Sequence, residues 1–382
     1  MAFLLFLDFT LVTNLYNIGS LYAPLASEFN ETVAGLGILT SVFVLGRAVF
    51  ELPGSLLAVR RGPKMLLVVG GAVASVPIIL SAFSTNFVMV VLLRCIGGAG
   101  FGVCFPQILT LVGRNVRSGA AGLAMGLVFM TSNIAGIVGL FGYAELGSLL
   151  GWRVCLLLSG GLALLATVVL LWAVKDDRAA FEGTVRGKDI AHLAIDRRLL
   201  SLALVLVGIG GGSYLTWNFM VYYLQTGMAI SAGLAGFVAG LAPAFALVAP
   251  LAGGWFDRYR MTRLWAFCAI AALAAGLAVA SVGHLAYAVA SVATVGAAQG
   301  VGFTVIFASV RDGFSSARRL EPFAFGWVDT ISLAGPLSAP VLFSTVALSG
   351  GYSLAWLSGG AFTLVFAVPI FFLARTSLGS TA

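Results

Sequence analysis

The sequence predicts an all-α membrane protein, with twelve transmembrane helices in two pseudo-symmetric six-helix bundles. Three observations predict it. Sixty per cent of the 382 residues are AVILMFWYC and only 9% are charged, where a soluble globular chain has about 45–50% and about 25%. Twelve separate stretches are long and apolar enough to cross a bilayer. Features of the first half return about 200 residues later in the second. With a mean hydropathy of +1.06, the solvent of this chain is lipid. A soluble enzyme, a nucleic-acid-binding domain and a disordered chain are excluded.

A crossing helix needs about 20 mostly apolar residues. Such stretches run over 3–26, 32–58, 65–84, 86–112, 119–144, 153–174, 198–225, 230–256, 263–282, 285–313, 322–348 and 352–374, here spans 1 to 12. Span 1 has no basic n-region and no small-residue cleavage site, so it is expected as the first helix rather than a signal peptide. Spans 3 and 4 are parted only at Ser84, Thr85 and Asn86, and spans 9 and 10 only near Gly283 and His284. Cys95, Cys104, Cys155 and Cys268 lie in apolar stretches without CxxC spacing, which suggests neither disulfides nor zinc. His192 and His284 fall in turns without a partner at ligand spacing. No metal and no cofactor is expected.

The basic residues test the span count. With both termini inside, the inward turns hold Arg60, Arg61 and Lys64, then Arg114 and Arg117, then Lys175, Arg178, Arg186, Lys188, Arg197 and Arg198. Further on they hold Arg258, Arg260 and Arg263, then Arg311, Arg318 and Arg319, with Arg375 in the tail. These are 18 of the 21 Lys and Arg. The outward turns hold only Arg153, and Arg47 and Arg94 lie inside spans. This is the positive-inside bias. A missed span would reverse every later turn. The expected placement is the cytoplasmic membrane, multi-pass, with both termini cytoplasmic. The net charge of +7 then faces anionic lipid, and no nucleic-acid partner is implied.

Residues 175–197 form the longest polar segment and divide 1–174 from 198–382 as two six-helix bundles. Their mixed charges suit a solvated connector, with a short amphipathic helix at Ile190–Ile195. Three features repeat in order across it. Ser55 to Gly62 after span 2 matches Gly253 to Arg260 after span 8. Gly98-Ala-Gly100-Phe101 matches Gly300-Val-Gly302-Phe303, and Gly151-Trp152 matches Gly351-Tyr352. Parallel repeats of this kind place a substrate site between them near the midplane.

These residues resemble the major facilitator superfamily of membrane transporters over essentially the whole chain. In that family the turn after helix 2 reads G-x-L-a-D-R-x-G-R-K. Here it is Ser55-Leu56-Leu57-Ala58-Val59-Arg60-Arg61-Gly62-Pro63-Lys64, with Ser for the first Gly and Val59 for the acid. The second copy keeps Gly253, Asp257 and Arg258 but has Arg260 where Gly is expected. The resemblance implies that Arg60, Gly62, Asp257 and Arg258 gate the cytoplasmic side, with Asp257 carrying more of it because Val59 has no carboxylate. Arg94-Cys-Ile-Gly97-Gly98-Ala-Gly100 is similar to the family's R-x-x-q-G-x-G motif on helix 4. Arg117 to Gly126 and Gly151-Trp152-Arg153 are also typical of the family.

Charge inside a span is costly and marks function or a partner. Five such residues stand out: Asp8, Arg47, Glu51, Arg94 and Asp329. Arg47 and Glu51 share a helix face at i,i+4. They either neutralise each other or exchange a proton and gate span 2 against span 11. Asp8, Glu51 and Asp329 are the candidate proton carriers, against a gate contact or interhelical hydrogen bond for each. Arg94, whose guanidinium fork suits a carboxylate, is the first candidate for substrate. The substrate set is Asn17, Tyr22, Arg47, Arg94, Asn133, Trp217, Asn218, Tyr222 and Gln299, against plain interhelical bonding. Gly98-Ala-Gly100 lies inside a span, so a phosphate loop is ruled out.

The expected function is secondary active transport of a small organic solute, an organic anion by slight preference, by alternating access. Protons or a counter-substrate would drive it, and the protein would act as a monomer in the lipid bilayer. A drug efflux pump is the runner-up, favoured by the three acids and the aromatic span 7. A non-transporting receptor or scaffold stays open through Val59. An enzyme is not expected, since no catalytic His or carboxylate cluster sits at a membrane face.

Overall fold

In a computed structural model, described over residues 1–31, 33–116, 119–173, 187–314 and 319–373, every regular element is helical and the described residues contain no strand. The first half holds α1 (Ala2–Ser20), α2 (Tyr22–Phe29), α3 (Val33–Arg61), α4 (Pro63–Ser81), α5 (Phe87–Arg114), α6 (Ala121–Ile137), α7 (Tyr143–Leu150) and α8 (Trp152–Ala173). Then come α9 (Gly187–Ala194), α10 (Arg197–Thr226), α11 (Ala232–Phe245), α12 (Ala249–Tyr259), α13 (Thr262–Ala280), α14 (Leu285–Gly313), α15 (Glu321–Ser332) and α16 (Ala334–Val365). The connector helix expected at Ile190–Ile195 is α9. The rest of the connector, 175–186, lies outside the described residues, as do Arg117, Arg318 and Arg375.

Eleven helical stretches are long and apolar enough to cross a membrane, the last running 52 residues from Glu321 to Phe372. That last stretch leaves helical space at Gly351 (φ 79°, ψ 173°), so it supplies spans 11 and 12. Several expected single spans are two helices, and a proline lies at three of the breaks. It has no N–H for the carbonyl four residues back. Pro24 withholds a bond from Ser20 at the α1/α2 break, Pro250 from Ala246 at the 3-10 turn between α11 and α12, and Pro336 from Ser332 at the α15/α16 break. Span 5 instead passes through a π turn, Val138–Gly142, before α7. The thin separation of spans 3 and 4 is real: Asn86 caps α5, its side chain accepting the Met89 N–H at 2.8 Å.

The described chain divides by contact into two compact units. Unit 1 is Met1–Asn115, Thr131–Arg186 and Arg318–Gly326; unit 2 is Val116–Met130, Gly187–Ala317 and Trp327–Ala382. Each unit therefore includes a short piece from the other half of the sequence. In unit 1, Gly98 and Gly102 lay α5 against the α3 backbone at Phe43 and Arg47. In unit 2, Gly296 and Gly300 lay α14 against Ala242 and Ala246. These contacts repeat the packing glycines at an offset of 198 residues and the backbone they meet at 199. The glycine offset is one helical turn from the register in which Gly98 matches Gly300. Packing therefore corrects the motif alignment.

Arg153, the one basic residue expected on the outward side, is neutralised. Glu28 accepts from Arg153 Nη1 (2.5 Å) and Trp152 Nε1 (2.6 Å), and Arg153 also donates to the Ser84 carbonyl (3.2 Å). The Arg153 and Trp152 bonds hold the Glu28 carboxyl below its ordinary 4.5. A carboxyl lowered on folding adds stability above its unfolded pKa and loses it as pH falls through the folded one. Arg153→Met is expected to lower Tm at neutral pH. The gap from wild type should close as pH drops below 4.5. A gap independent of pH would show that Glu28 is not the partner that matters.

Candidate functional site

Unit 1 has a polar interior built on α1, α3, α5, α6 and α8. α1 carries Asp8, Thr10, Asn14 and Asn17, all buried. Burial without bonds costs a polar group about 1–3 kcal/mol, so their partners define the site. Asp8 Oδ2 accepts from Ser132 Oγ at 2.8 Å, while Oδ1 is buried with no hydrogen-bond partner. Arg47 bears on Asp8 electrostatically. Its Nε is 3.0 Å from Glu51 Oε2, and its guanidinium lies over the rings of Phe101 (5.1 Å) and Phe105 (4.9 Å). The pairing of Arg47 with Glu51 at i,i+4 is thus made. Asp8 adds a second carboxyl to the same neighbourhood.

Arg94 is 1% exposed. Its Nη1 donates to the Asn14 carbonyl at 2.7 Å, and its guanidinium sits 4.5 Å over the Phe43 ring. Nε and Nη2 are buried and have no hydrogen-bond partner. These two nitrogens form one edge of the guanidinium fork. No carboxylate pairs with Arg94 among the described residues. Tyr22 bears on it electrostatically and bonds through its hydroxyl to Thr40 Oγ1 at 2.7 Å.

Asn17 is wholly buried. Its Nδ2 donates to Ser159 Oγ (3.0 Å), and Asn14 Nδ2 to the Ser159 carbonyl (3.2 Å). Asn133 is buried on α6, 6% exposed. Gln107, on α5, is wholly buried with both side-chain polar atoms unpartnered. In unit 2, Trp217 Nε1 donates to Gln299 Oε1 at 3.0 Å, so these two candidates are together. Asn218 is exposed and bonds the Tyr214 carbonyl of its own helix at 2.8 Å. Tyr222 is 56% exposed, its ring 6.4 Å from Tyr352. Asp329 is buried; Ser332 Oγ donates to its backbone carbonyl at 2.7 Å.

The gating candidates separate into two environments. Asp257 accepts from the backbone N–H of Gly122 (2.7 Å) and Leu123 (2.9 Å), in the first turn of α6. That site pairs an acid with the positive end of a helix. Gly253 faces Gly122 so closely that a Cβ on either would enter the other's backbone. Gly62 takes φ 84° before α4. Arg260, where Gly is expected, takes φ 48° and pairs with Asp312 at 2.5 Å. The second copy therefore keeps a positive φ without the glycine, but at ψ 31° where Gly62 has ψ 149°. Arg60 and Arg258 are exposed, and Arg258 lies 5.4 Å over the Tyr259 ring.

Sequence reasoning missed the rings of Phe43 and Phe105 under the two arginines, the Ser159 bridge, and a buried ion pair. In that pair Arg114 Nε is 2.9 Å from Glu321 Oε2, at 7% and 1% exposure. Glu321-Pro322 reads in hindsight as a helix start.

A family model described as Major Facilitator Superfamily matches residues 1–319. The 4-hydroxybenzoate transporter PcaK of Pseudomonas aeruginosa is 30% identical over 159 residues, which spans 42% of this chain and only 36% of that protein. Monocarboxylate transporter 13 of Rattus norvegicus is 26% identical over 366 residues, covering 92% of this chain and 82% of that one. Among solved structures, the transporter FucP in its outward conformation superposes with a TM-score of 0.78 at 15% identity, over 98% of both chains.

Proposed function

This chain belongs to the major facilitator superfamily, and from that premise we propose that it is a secondary transporter of a small organic anion, a monocarboxylate. Alternating access between its two homologous halves would carry the solute, and a proton would move with it. The observation that carries the proposal is the Nε/Nη2 edge of Arg94, buried, cationic and without a hydrogen-bond partner. A carboxylate matches that edge with two parallel charge-assisted bonds. The Phe43 ring beneath the guanidinium suits a solute with apolar carbon behind the carboxylate. Similar proteins named for 4-hydroxybenzoate and for monocarboxylates support the same substrate class.

Asp8 is the proposed proton carrier. It is wholly buried, held by Ser132 through one oxygen only, and within electrostatic reach of Arg47. Arg47 already has Glu51, so it serves the coupling side rather than the first grip on substrate. Asn17, Tyr22 and Asn133 remain the further substrate candidates of the first half, and Trp217 with Gln299 those of the second. Asp329 and Glu51 are held as secondary acids. The basic turns support cytoplasmic termini and a place in the cytoplasmic membrane.

Purified protein in liposomes tests this. An inward proton gradient is expected to drive accumulation of a monocarboxylate. Asp8→Asn is expected to abolish accumulation while leaving carboxylate exchange at equal pH within about threefold of wild type, since one positioned acid–base group accounts for a coupled step and not for binding. Equal loss of exchange and accumulation would make Asp8 structural. Movement of cationic dyes alone would favour drug efflux.

A further inference from the structure

We propose that Arg114 and Glu321 are the positioning pair of a gate in unit 1, standing in for the acid that this chain lacks at Val59. The inference rests on the alternating-access reading above, and it begins from unit 2. There Asp257, at the end of α12, accepts the first-turn N–H groups of Gly122 and Leu123 on α6. Next to that cap, Gly126 packs α6 against Ala249 and Pro250.

Unit 1 repeats the packing but not the cap. α15 starts at Glu321 as α6 starts at Ala121. Gly326 packs α15 against Ser55 and the Glu51 carbonyl of α3, as Gly126 packs against α12. In this register Val59 takes the place of Asp257, and Pro322 and Phe323 take the places of Gly122 and Leu123. Valine has no acceptor and proline has no N–H. The acceptor and one of the two donor positions are therefore lost, and restoring the acid alone would give it no bond at position 322.

Glu321 supplies a different contact one residue earlier. Its carboxylate meets Arg114 at the last residue of α5, 2.9 Å away and almost fully buried. The acid sits at a helix N-terminus and the cation at a helix C-terminus, each the favourable end for its charge. Removing one member of a buried pair strands the other's charge. The two gates thus differ in kind. One closes a carboxylate on backbone N–H groups, the other closes side chain on side chain.

The test uses full-length protein with its four cysteines replaced by serine and Ala324→Cys added, a wholly buried position on α15. A membrane-impermeant maleimide reports gate opening from either side of sealed vesicles and needs no substrate. Glu321→Gln is expected to speed labelling from one side by at least about fivefold. Glu321→Asp, keeping the charge with a shorter reach, is expected to fall between, and Arg114→Glu with Glu321→Arg to return most of the protection. Val59→Asp is expected to slow labelling of Glu321→Gln only in part, and to slow it further once Pro322→Ala is added. Unchanged labelling in Glu321→Gln, no recovery in the swapped pair at normal membrane abundance, or full rescue by Val59→Asp with Pro322 in place would each overturn the proposal. If labelling responds and no solute in a carboxylate, sugar and dye panel moves, the transport reading fails and the gate stands. If carboxylates move and labelling does not respond, the gate alone fails.

Discussion

Arg94→Lys is expected to weaken carboxylate transport about 100-fold in apparent affinity, since two charge-assisted hydrogen bonds together exceed the ~2.7 kcal/mol that this factor represents. Lysine keeps the positive charge but loses the planar fork. It also has to satisfy the Asn14 carbonyl that Arg94 Nη1 holds at 2.7 Å, leaving little for the solute. Arg94→Ala is expected to leave exchange undetectable. Because the Asn14 bond is lost too, protein abundance and Tm must be measured beside transport. The expected pattern is a large rise in KM with folded protein still present. An unchanged KM in Arg94→Lys would remove this residue from the substrate site.

Gly98→Val is expected to remove most folded protein from the membrane. A Cβ at Gly98 would press into the Phe43 backbone, with its carbonyl carbon at 2.7 Å and Cα at 2.8 Å. Backbone atoms within a packed helix pair cannot step aside as a side-chain tip can, and overpacking typically costs about 1–3 kcal/mol or more. Gly161 is the control, because nothing lies within 4 Å of its Cβ position. Gly161→Ala should match wild type in Tm and in monodisperse yield. Similar behaviour of the two variants would mean that α3 and α5 separate more easily than their packing implies.

The crossings were legible because lipid imposes a length and a composition on each one, and the basic turns add parity. The cap at Asn86 and the left-handed turn at Gly351 lie where the sequence places its breaks. The interruptions at Leu21 and Ala246 were not read, although Pro24 and Pro250 lie beside them, because hydropathy runs through them unbroken. The site divided in the same way. Arg47 with Glu51 is a local i,i+4 relation and was visible. Gln299 with Trp217, Arg94 with Phe43 and Arg114 with Glu321 join residues far apart in sequence, so spacing carried no signal for them. Asn17 is intermediate. A mid-span amide reads as a ligand contact, and here its two ends differ: Nδ2 is bonded to Ser159 while Oδ1 has no hydrogen-bond partner.

The central claim is that a carboxylate is the solute held by Arg94. It is tested most directly by counterflow in liposomes at equal pH on both sides, with acids paired against their uncharged amides: benzoate with benzamide, and a short aliphatic monocarboxylate with its amide. Loaded acid is expected to drive uptake of labelled acid, while the amides fail to compete and Arg94→Lys loses the signal. Equal competition by acid and amide, or exchange that survives in Arg94→Ala, would contradict the claim.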